Sequence, residues 1–218
     1  MIEEVLKRVF PMEHGREPNT IVVPIERKNF PFAIGDEKAC RECHALPSRA
    51  DRMGCSEEVL KVDNNGANIA VVHLEKYMKQ FAGTAIGDNQ CCDYLMTDSG
   101  KEHNKIVFCE LCCYDEKYVE QKQAKARQQM ERALEALIQE PQMTVLMLTY
   151  PEKVHLFAWR DYNAPDRPVV PSRGDARANM QVFGVTASSM ASKTSVRHMV
   201  MDHDFKMVKI KYPSTYLW

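Results

Sequence analysis

Residues 119–140 constrain the fold more than any other stretch, because they contain no glycine or proline and are rich in strong helix formers such as Gln, Ala, Lys, Glu and Arg. They predict one long helix, and Pro141 marks its end. Two apolar runs, residues 91–97 and 105–113, precede this helix. The polar residues 98–104 between them indicate a hairpin loop, so the two runs are predicted as antiparallel strands.

Further apolar runs complete the predicted order of elements. Residues 144–150 and 154–159 are predicted as two strands joined by a turn, and the long helix permits a parallel crossover into them. The apolar positions of residues 69–81 follow the spacing of an amphipathic helix. Residues 56–60 resemble a helix start, with acids in the first turn. The sequence therefore predicts an α/β (α+β) fold, with a mixed central β-sheet flanked by helices.

The length of 218 residues is enough for one good core. We expect that core over residues 69–160, an N-terminal extension over 1–68, and a C-terminal loop and strands over 161–218 that pack on the core. The formal net charge of −1 supplies no global attraction to nucleic acid, so a nucleic-acid role requires a local basic patch.

The expected location of the protein follows from what the sequence lacks. No apolar run approaches the roughly 20 residues that span a bilayer. The N-terminus shows no uninterrupted apolar segment of the kind that forms a secretory signal. We therefore expect a cytoplasmic protein without membrane contact, whose eight cysteines stay reduced.

Two acidic residues lie near the ends of the predicted hairpin strands. Asp93 is at the start of the first strand and Glu110 is near the end of the second, so both are expected at one edge of the sheet. Two carboxylates at such an edge suit Mg²⁺ or Mn²⁺. The alternative is that they are ordinary charged residues near strand ends. Because Glu110 lies inside an apolar run, it would then need a basic partner or exposure at the edge.

This pattern resembles the PD-(D/E)XK, or restriction-endonuclease-like, nuclease superfamily. The resembling residues are Asp93 on one strand, Glu110-Leu111-Cys112 on the next, and the long helix that follows. The resemblance covers about residues 69–159, where the predicted order of helix, strands, helix and strand is that of the family core. It implies a hydrolase that cleaves nucleic-acid phosphodiesters with the help of a divalent metal.

The resemblance also assigns residues to roles. It implies that Asp93 and Glu110 hold Mg²⁺ or Mn²⁺, and that Glu75 on the preceding helix joins them. It implies that Gln123 or Lys122 reaches the site from the helix that follows. The position of the family's lysine, two residues after the second acid, is occupied by Cys112.

Cys112 cannot supply the missing positive charge, because a thiol donates weakly and a thiolate would add negative charge beside a phosphate. Three explanations remain open. A lysine from a neighbouring position, Lys117, Lys122 or Lys125, takes over. The site works without a lysine. Or the site is inactive, and the fold is kept for binding or assembly.

A second candidate site lies in the N-terminal segment. Cys40 and Cys43, followed by His44, have the spacing of half a zinc site, and Cys55 is a candidate third ligand. The alternative is a set of small buried or partly exposed thiols.

The sequence thus leaves three functions open. The first is a metal-dependent nuclease with nucleic acid as its partner. The second is a catalytically inactive, nuclease-like subunit that pairs with another protein or with its own copies, as in a bacterial defence system. The third is a binding module stabilised by zinc.

Overall fold

Three layers of secondary structure make up the described part of the chain. The computed structural model describes residues 2–36, 57–84, 87, 91–99, 104–114, 116–161, 181–183 and 205–218. Helices cover one face of a seven-stranded sheet, and a three-stranded sheet covers the other face. This arrangement confirms the predicted mixed α+β class.

The strands of the described residues are β1 (Ile25–Lys28), β2 (Phe32–Asp36), β3 (Glu57–Asp63), β4 (Ile69–His73), β5 (Tyr94–Asp98), β6 (Lys105–Tyr114), β7 (Glu152–Asp161), β8 (Gln181–Phe183), β9 (Lys206–Lys211) and β10 (Thr215–Leu217). The large sheet has the order β1-β4-β5-β6-β7-β9-β8. In it, β4, β5 and β6 form an antiparallel meander, whereas β6, β7 and β9 run parallel. We call the edge at which β6, β7 and β9 end the carboxyl edge.

The helices are α1 (Ile2–Glu4), a π-helix (Val5–Val9), α2 (Phe10–Glu13), α3 (Leu74–Met78), a 3-10 turn (Lys79–Phe81), a second 3-10 turn (Glu116–Tyr118), α4 (Val119–Ile138) and α5 (Pro141–Leu148). The crossover from β6 to the parallel strand β7 runs through α4 and α5. The long helix predicted over residues 119–140 is confirmed by α4.

Strand alternation divides the core into two halves. On β6, Phe108 and Cys112 belong to the cluster beneath the helices, whereas Cys109, Leu111 and Cys113 face the small sheet. The small sheet, in the order β10-β3-β2, was not predicted from the sequence. The predicted division into segments 1–68, 69–160 and 161–218 stays a prediction. Strands from all three segments lie in the large sheet.

The prediction of one helix over residues 69–81 is wrong in its first part. Residues Ile69–His73 form β4, paired on both sides with β1 and β5. A short apolar run that is buried on both faces shows the same spacing as a helix face, so periodicity alone does not separate the two. The helical part, α3, begins only after His73, whose Nδ1 accepts a hydrogen bond from the Lys76 N–H at 3.4 Å.

The predicted strand over residues 144–150 is also wrong, because Pro141–Leu148 form the helix α5. Pro141 ends the long helix but also occupies the first turn of the next one, where its missing N–H is no loss. The side chain of Glu140 caps α5 by accepting a hydrogen bond from the Gln142 N–H at 2.8 Å. The predicted helix start at residues 56–60 is replaced by the strand β3.

No helix in the described ranges is both long enough and apolar enough to cross a lipid bilayer.

Candidate functional site

Asp93 and Glu110 lie together on the large sheet, at the point where the pairing of β5 with β6 ends. Asp93 immediately precedes β5, and Glu110 is in β6. The antiparallel register pairs Tyr94 with Cys109, which brings the two acids opposite each other. The hairpin argument from the sequence predicted this proximity correctly.

Each acid accepts a hydrogen bond from the backbone beside the other. The Asp93 N–H donates to Oε2 of Glu110 at 3.2 Å, and the Leu111 N–H donates to Oδ2 of Asp93 at 2.8 Å. Both side chains are half-buried. Hydrogen bonds to the charged form offset part of the cost of removing a carboxylate from water. The pair is therefore fixed by the fold itself.

Glu75 lies on the neighbouring helix α3, and its Oε1 is 2.8 Å from the Lys79 Nζ. Leu74 at the start of this helix donates its N–H to the Asp93 carbonyl oxygen at 2.8 Å. Burial is the largest cause that raises the pKa of Cys91 to about 12, and the charges of Glu75, Glu110 and Asp93 contribute to the same increase. Three carboxylates therefore act on one thiol, which indicates a concentration of negative charge here.

Cys112 projects from β6 towards the helices, on the same face as Glu110, as predicted. Its pKa is raised to about 12, because the effect of burial exceeds the opposing effect of the positive charge of Lys122. The thiol thus stays neutral near pH 7 and supplies neither a cation nor a thiolate.

The three predicted lysines occupy different positions. Lys122 is half-buried, with its Nζ 4.0 Å from the centre of the Tyr114 ring, and its charge acts on Cys112. It forms no ion pair with any residue that the structure describes. Lys117 lies over the Tyr118 ring at 4.9 Å, and Lys125 is exposed. Lys122 is therefore the lysine that the geometry links to the cysteine position.

A glutamine reaches the site from α4, but at a different position from the one predicted. Gln129 donates from Nε2 to the Cys91 carbonyl oxygen at 3.3 Å. Gln123 is half-buried on the same helix. Gln123 and Gln129 lie three residues before and three residues after the buried Ala126, so they lie on either side of it around the helix.

Sequence reasoning missed two lysines at the carboxyl edge, Lys209 and Lys211 of β9. The register places Lys209 beside Phe157, which in turn is paired with Glu110. Lys209 Nζ is 2.6 Å from Glu120, and Lys211 Nζ is 3.0 Å from Glu116. The alternating pattern of β9 is typical of an edge strand, yet β9 lies between β7 and β8. The parallel pairing with β7 places Lys209 two strands from Glu110.

The side chains that could be ligands decide whether this site suits a divalent metal. Among the described residues, no group of three or more His, Cys, Asp or Glu side chains is arranged to hold a metal ion. Mg²⁺ is commonly held by one or two carboxylates, with waters and phosphate oxygens completing its shell. Asp93 and Glu110 supply that smaller number of hard oxygen ligands.

The candidate zinc ligands Cys40, Cys43, His44 and Cys55 lie outside the described residues. The described cysteines pack in the core as buried thiols, as predicted, and these are Cys91, Cys92, Cys109, Cys112 and Cys113.

Comparison with protein-family models, with curated proteins and with solved structures gives no match for this chain.

Proposed function

We propose that the protein is a metal-dependent nuclease that hydrolyses nucleic-acid phosphodiesters at the pair of Asp93 and Glu110. The observation that carries the proposal is the hydrogen-bonded pair of Asp93 and Glu110, held with Cys112 on one face of the sheet next to Lys122. A metal bound there would activate water and stabilise the charge that develops at phosphorus.

Asp93 and Glu110 would hold Mg²⁺ or Mn²⁺. Their backbone hydrogen bonds each use one carboxylate oxygen, and each carboxylate carries a second oxygen of the hard type that these ions prefer. Glu75 adds negative charge from α3, where its carboxylate is paired with Lys79. We assign it to attracting the ion rather than to holding it.

Lys122 takes the role that Cys112 cannot fill. Its ammonium group supplies a positive charge on the face that carries Glu110 and Cys112, where it would orient the attacking water and steady the phosphate. Gln129 is a positioning residue, because its hydrogen bond to the Cys91 carbonyl fixes the backbone just before Asp93.

The chain topology supports this proposal. An antiparallel meander (β4, β5, β6), a long helix and a strand parallel to β6 follow one another along the chain. From α3 onwards the order is a helix, two strands, the helices α4 and α5, and a strand, which is similar to the core order that the resemblance implies, whereas β4 precedes the first of these helices. Asp93 before β5 and Glu110 on β6 support the roles that we give them.

The test is cleavage of single- and double-stranded DNA and RNA with Mg²⁺ or Mn²⁺, next to Mn²⁺ binding by calorimetry. Asp93→Asn and Glu110→Gln keep the side-chain shapes, and both should abolish cleavage and weaken Mn²⁺ binding. The exposed Glu17→Gln serves as the control and should behave like wild type. Wild-type protein that neither cleaves any of these polymers nor binds Mn²⁺ would overturn the proposal.

A second function, an inactive interaction subunit, is favoured by one observation. Each of the two carboxylates accepts a hydrogen bond from a backbone N–H, which gives the pair a structural role. A neutral thiol occupies the position at which the family has its lysine. In that case Asp93→Asn and Glu110→Gln would leave partner binding at the wild-type level. Purification of a stable complex whose formation is insensitive to both changes would support this alternative.

A further inference from the structure

Aromatic rings and lysines alternate just beyond the acid pair. Tyr114 ends β6, and Tyr118 precedes α4. Their ring centres are 5.6 Å apart and the planes are inclined by 73°. Lys122 Nζ lies 4.0 Å from the Tyr114 ring, and Lys117 Nζ lies 4.9 Å from the Tyr118 ring. We call these four residues the tyrosine platform.

The platform is open to solvent at its outer end. Tyr118 is 43 % exposed, and its ring packs against that of Tyr114. Tyr114 is half-buried, and the more buried Trp159 lies on the adjacent strand, with Lys211 Nζ 4.6 Å from its ring. An exposed aromatic face backed by cations therefore points away from the core.

The platform is aligned with the acid pair. Glu110 and Tyr114 are four residues apart on β6, so their side chains project from the same face. At about 3.3 Å of rise per residue, the two positions are separated by roughly 13 Å. A chain held at the acids would reach Tyr114 and Tyr118 within a few nucleotides.

We propose that the tyrosine platform binds single-stranded nucleic acid by stacking an unpaired base on Tyr118 while Lys117 contacts the backbone. The choice of nucleic acid rests on the proposed function. Stacking on aromatic rings accepts every base, because each base has a π-face, and lysines supply the sequence-independent attraction. A duplex offers no unstacked base to Tyr118, and a net charge of −1 supplies no global attraction to a duplex. The preferred ligand is therefore a single strand.

The experiment measures binding of fluorescein-labelled 12-mers of deoxythymidine and of uridine to the full chain in EDTA. Tyr118→Ala should weaken binding at least fivefold, in line with alanine substitutions of stacking residues. Phe30→Ala removes another exposed ring, 79 % exposed in the turn between β1 and β2, and should change binding less than twofold. An abasic 12-mer should bind wild type and Tyr118→Ala equally, because it has no base to stack.

The contribution of Lys117 is measured by salt dependence. Lys117→Gln should reduce the slope of log affinity against log salt by about one, as expected for a lost phosphate contact. Lys206→Gln is the control, because Lys206 is an exposed lysine at the opposite end of β9. Its slope should equal that of wild type.

Two results would overturn the inference. One is Tyr118→Ala binding the 12-mers as tightly as wild type. The other is equal losses for Tyr118→Ala and Phe30→Ala. A preference for either the DNA or the RNA 12-mer supports the inference and identifies the polymer. Because binding is measured without a divalent metal, its outcome is independent of whether Asp93 and Glu110 support cleavage.

Discussion

The Asp93 N–H donates to the Glu110 carboxylate, while the Asp93 carboxylate accepts from the N–H of Leu111, the residue after Glu110. The two bonds join the segment before β5 to β6 at the point where their pairing ends. The acids therefore have a structural role in addition to any chemistry. Substitutions at this pair must separate the two roles.

Asp93→Asn and Asp93→Ala make that separation. The asparagine keeps an oxygen that accepts from the Leu111 N–H, so we expect it to change the free energy of unfolding by less than about 1 kcal/mol. The alanine leaves that N–H without its partner and should destabilise the protein by about 1–3 kcal/mol. Urea denaturation at pH 7.5 measures both.

Cleavage gives the second measurement for the same pair of variants. If Asp93 holds a metal, the stable Asp93→Asn variant is as inactive as Asp93→Ala. Cleavage by Asp93→Asn at the wild-type rate would leave Asp93 with its structural role alone. The exposed Glu17→Ala should match wild type in both measurements, within about 0.5 kcal/mol in stability.

Lys122 and Cys112 offer a rescue experiment. Lys122→Gln removes the cation that acts on Cys112 and should lower the rate of metal-dependent cleavage by about a hundredfold or more. Introducing Cys112→Lys into that variant returns a lysine to the second position after Glu110, on the same face of β6. We expect the double variant to recover at least part of the rate.

Loss of a charge elsewhere on α4 should have no such effect. Lys125→Gln, in the exposed part of the helix, is the matched control. If it lowers cleavage as much as Lys122→Gln does, the helix contributes only general positive charge. If Cys112→Lys fails to raise the rate although the double variant is folded, the lysine has not been relocated from that position to Lys122.

The elements that sequence predicted correctly are those whose signal is local. The long helix α4 lacks breakers over its whole length, and the β5–β6 hairpin has two apolar runs around a polar loop. The errors fall where a local pattern has two solutions. Ile69–His73 satisfies a helical spacing as well as a buried strand, and Pro141 both ends one helix and begins another.

The candidate site was predicted to the same extent. Asp93, Glu110 and Cys112 follow from the hairpin and from strand alternation, and both are local rules. Gln123 and Gln129 are each three residues from the buried Ala126, so helical spacing does not choose between them, and the contact of Gln129 with Cys91 does. The position of Lys209, two strands from Glu110, could not be predicted, because it follows from the pairing of β9 with β7 across about fifty residues of sequence, and no local pattern encodes that pairing.

His155 makes the stability of the protein sensitive to acid. It is buried between Phe108 and Phe205, and its Nε2 finds no hydrogen-bond partner among the described residues. Burial, with a smaller contribution from the charge of Arg127, lowers its pKa to about 3. Below about pH 6.5 the unfolded chain binds a proton at this residue, whereas the folded chain does not. The free energy of unfolding therefore falls as the pH falls. This residue alone should cost about 2 kcal/mol between pH 7.5 and pH 5.

The variant His155→Phe isolates that contribution. It keeps a ring between the two phenylalanines but cannot take up a proton. We expect its free energy of unfolding to fall less steeply than that of wild type over the same interval, as measured by urea denaturation at several pH values. Parallel curves for the two proteins would show that His155 is not held neutral by the fold.

Trp218 should stabilise the protein by connecting the small sheet to the large one. Its Nε1–H donates to Oδ1 of the buried Asp98 at the end of β5, while its backbone N–H donates to the Asp63 carbonyl of β3 at 2.9 Å. Trp218→Phe keeps the aromatic contact but leaves Asp98 with one donor fewer, which should cost about 1–3 kcal/mol. Leu217→Ala, at a neighbouring side chain that is 59 % exposed, should cost far less.

A double-mutant cycle with Asp98→Asn assigns that cost to the hydrogen bond. Asp98 also accepts from the Asn104 and Lys105 N–H groups at 2.8 and 2.9 Å, and asparagine can keep part of these bonds. If the indole bond stabilises the contact between the sheets, the two changes together should cost less than their sum by about 0.5 kcal/mol or more. Additive costs in urea denaturation would instead assign the loss at Trp218 to packing alone.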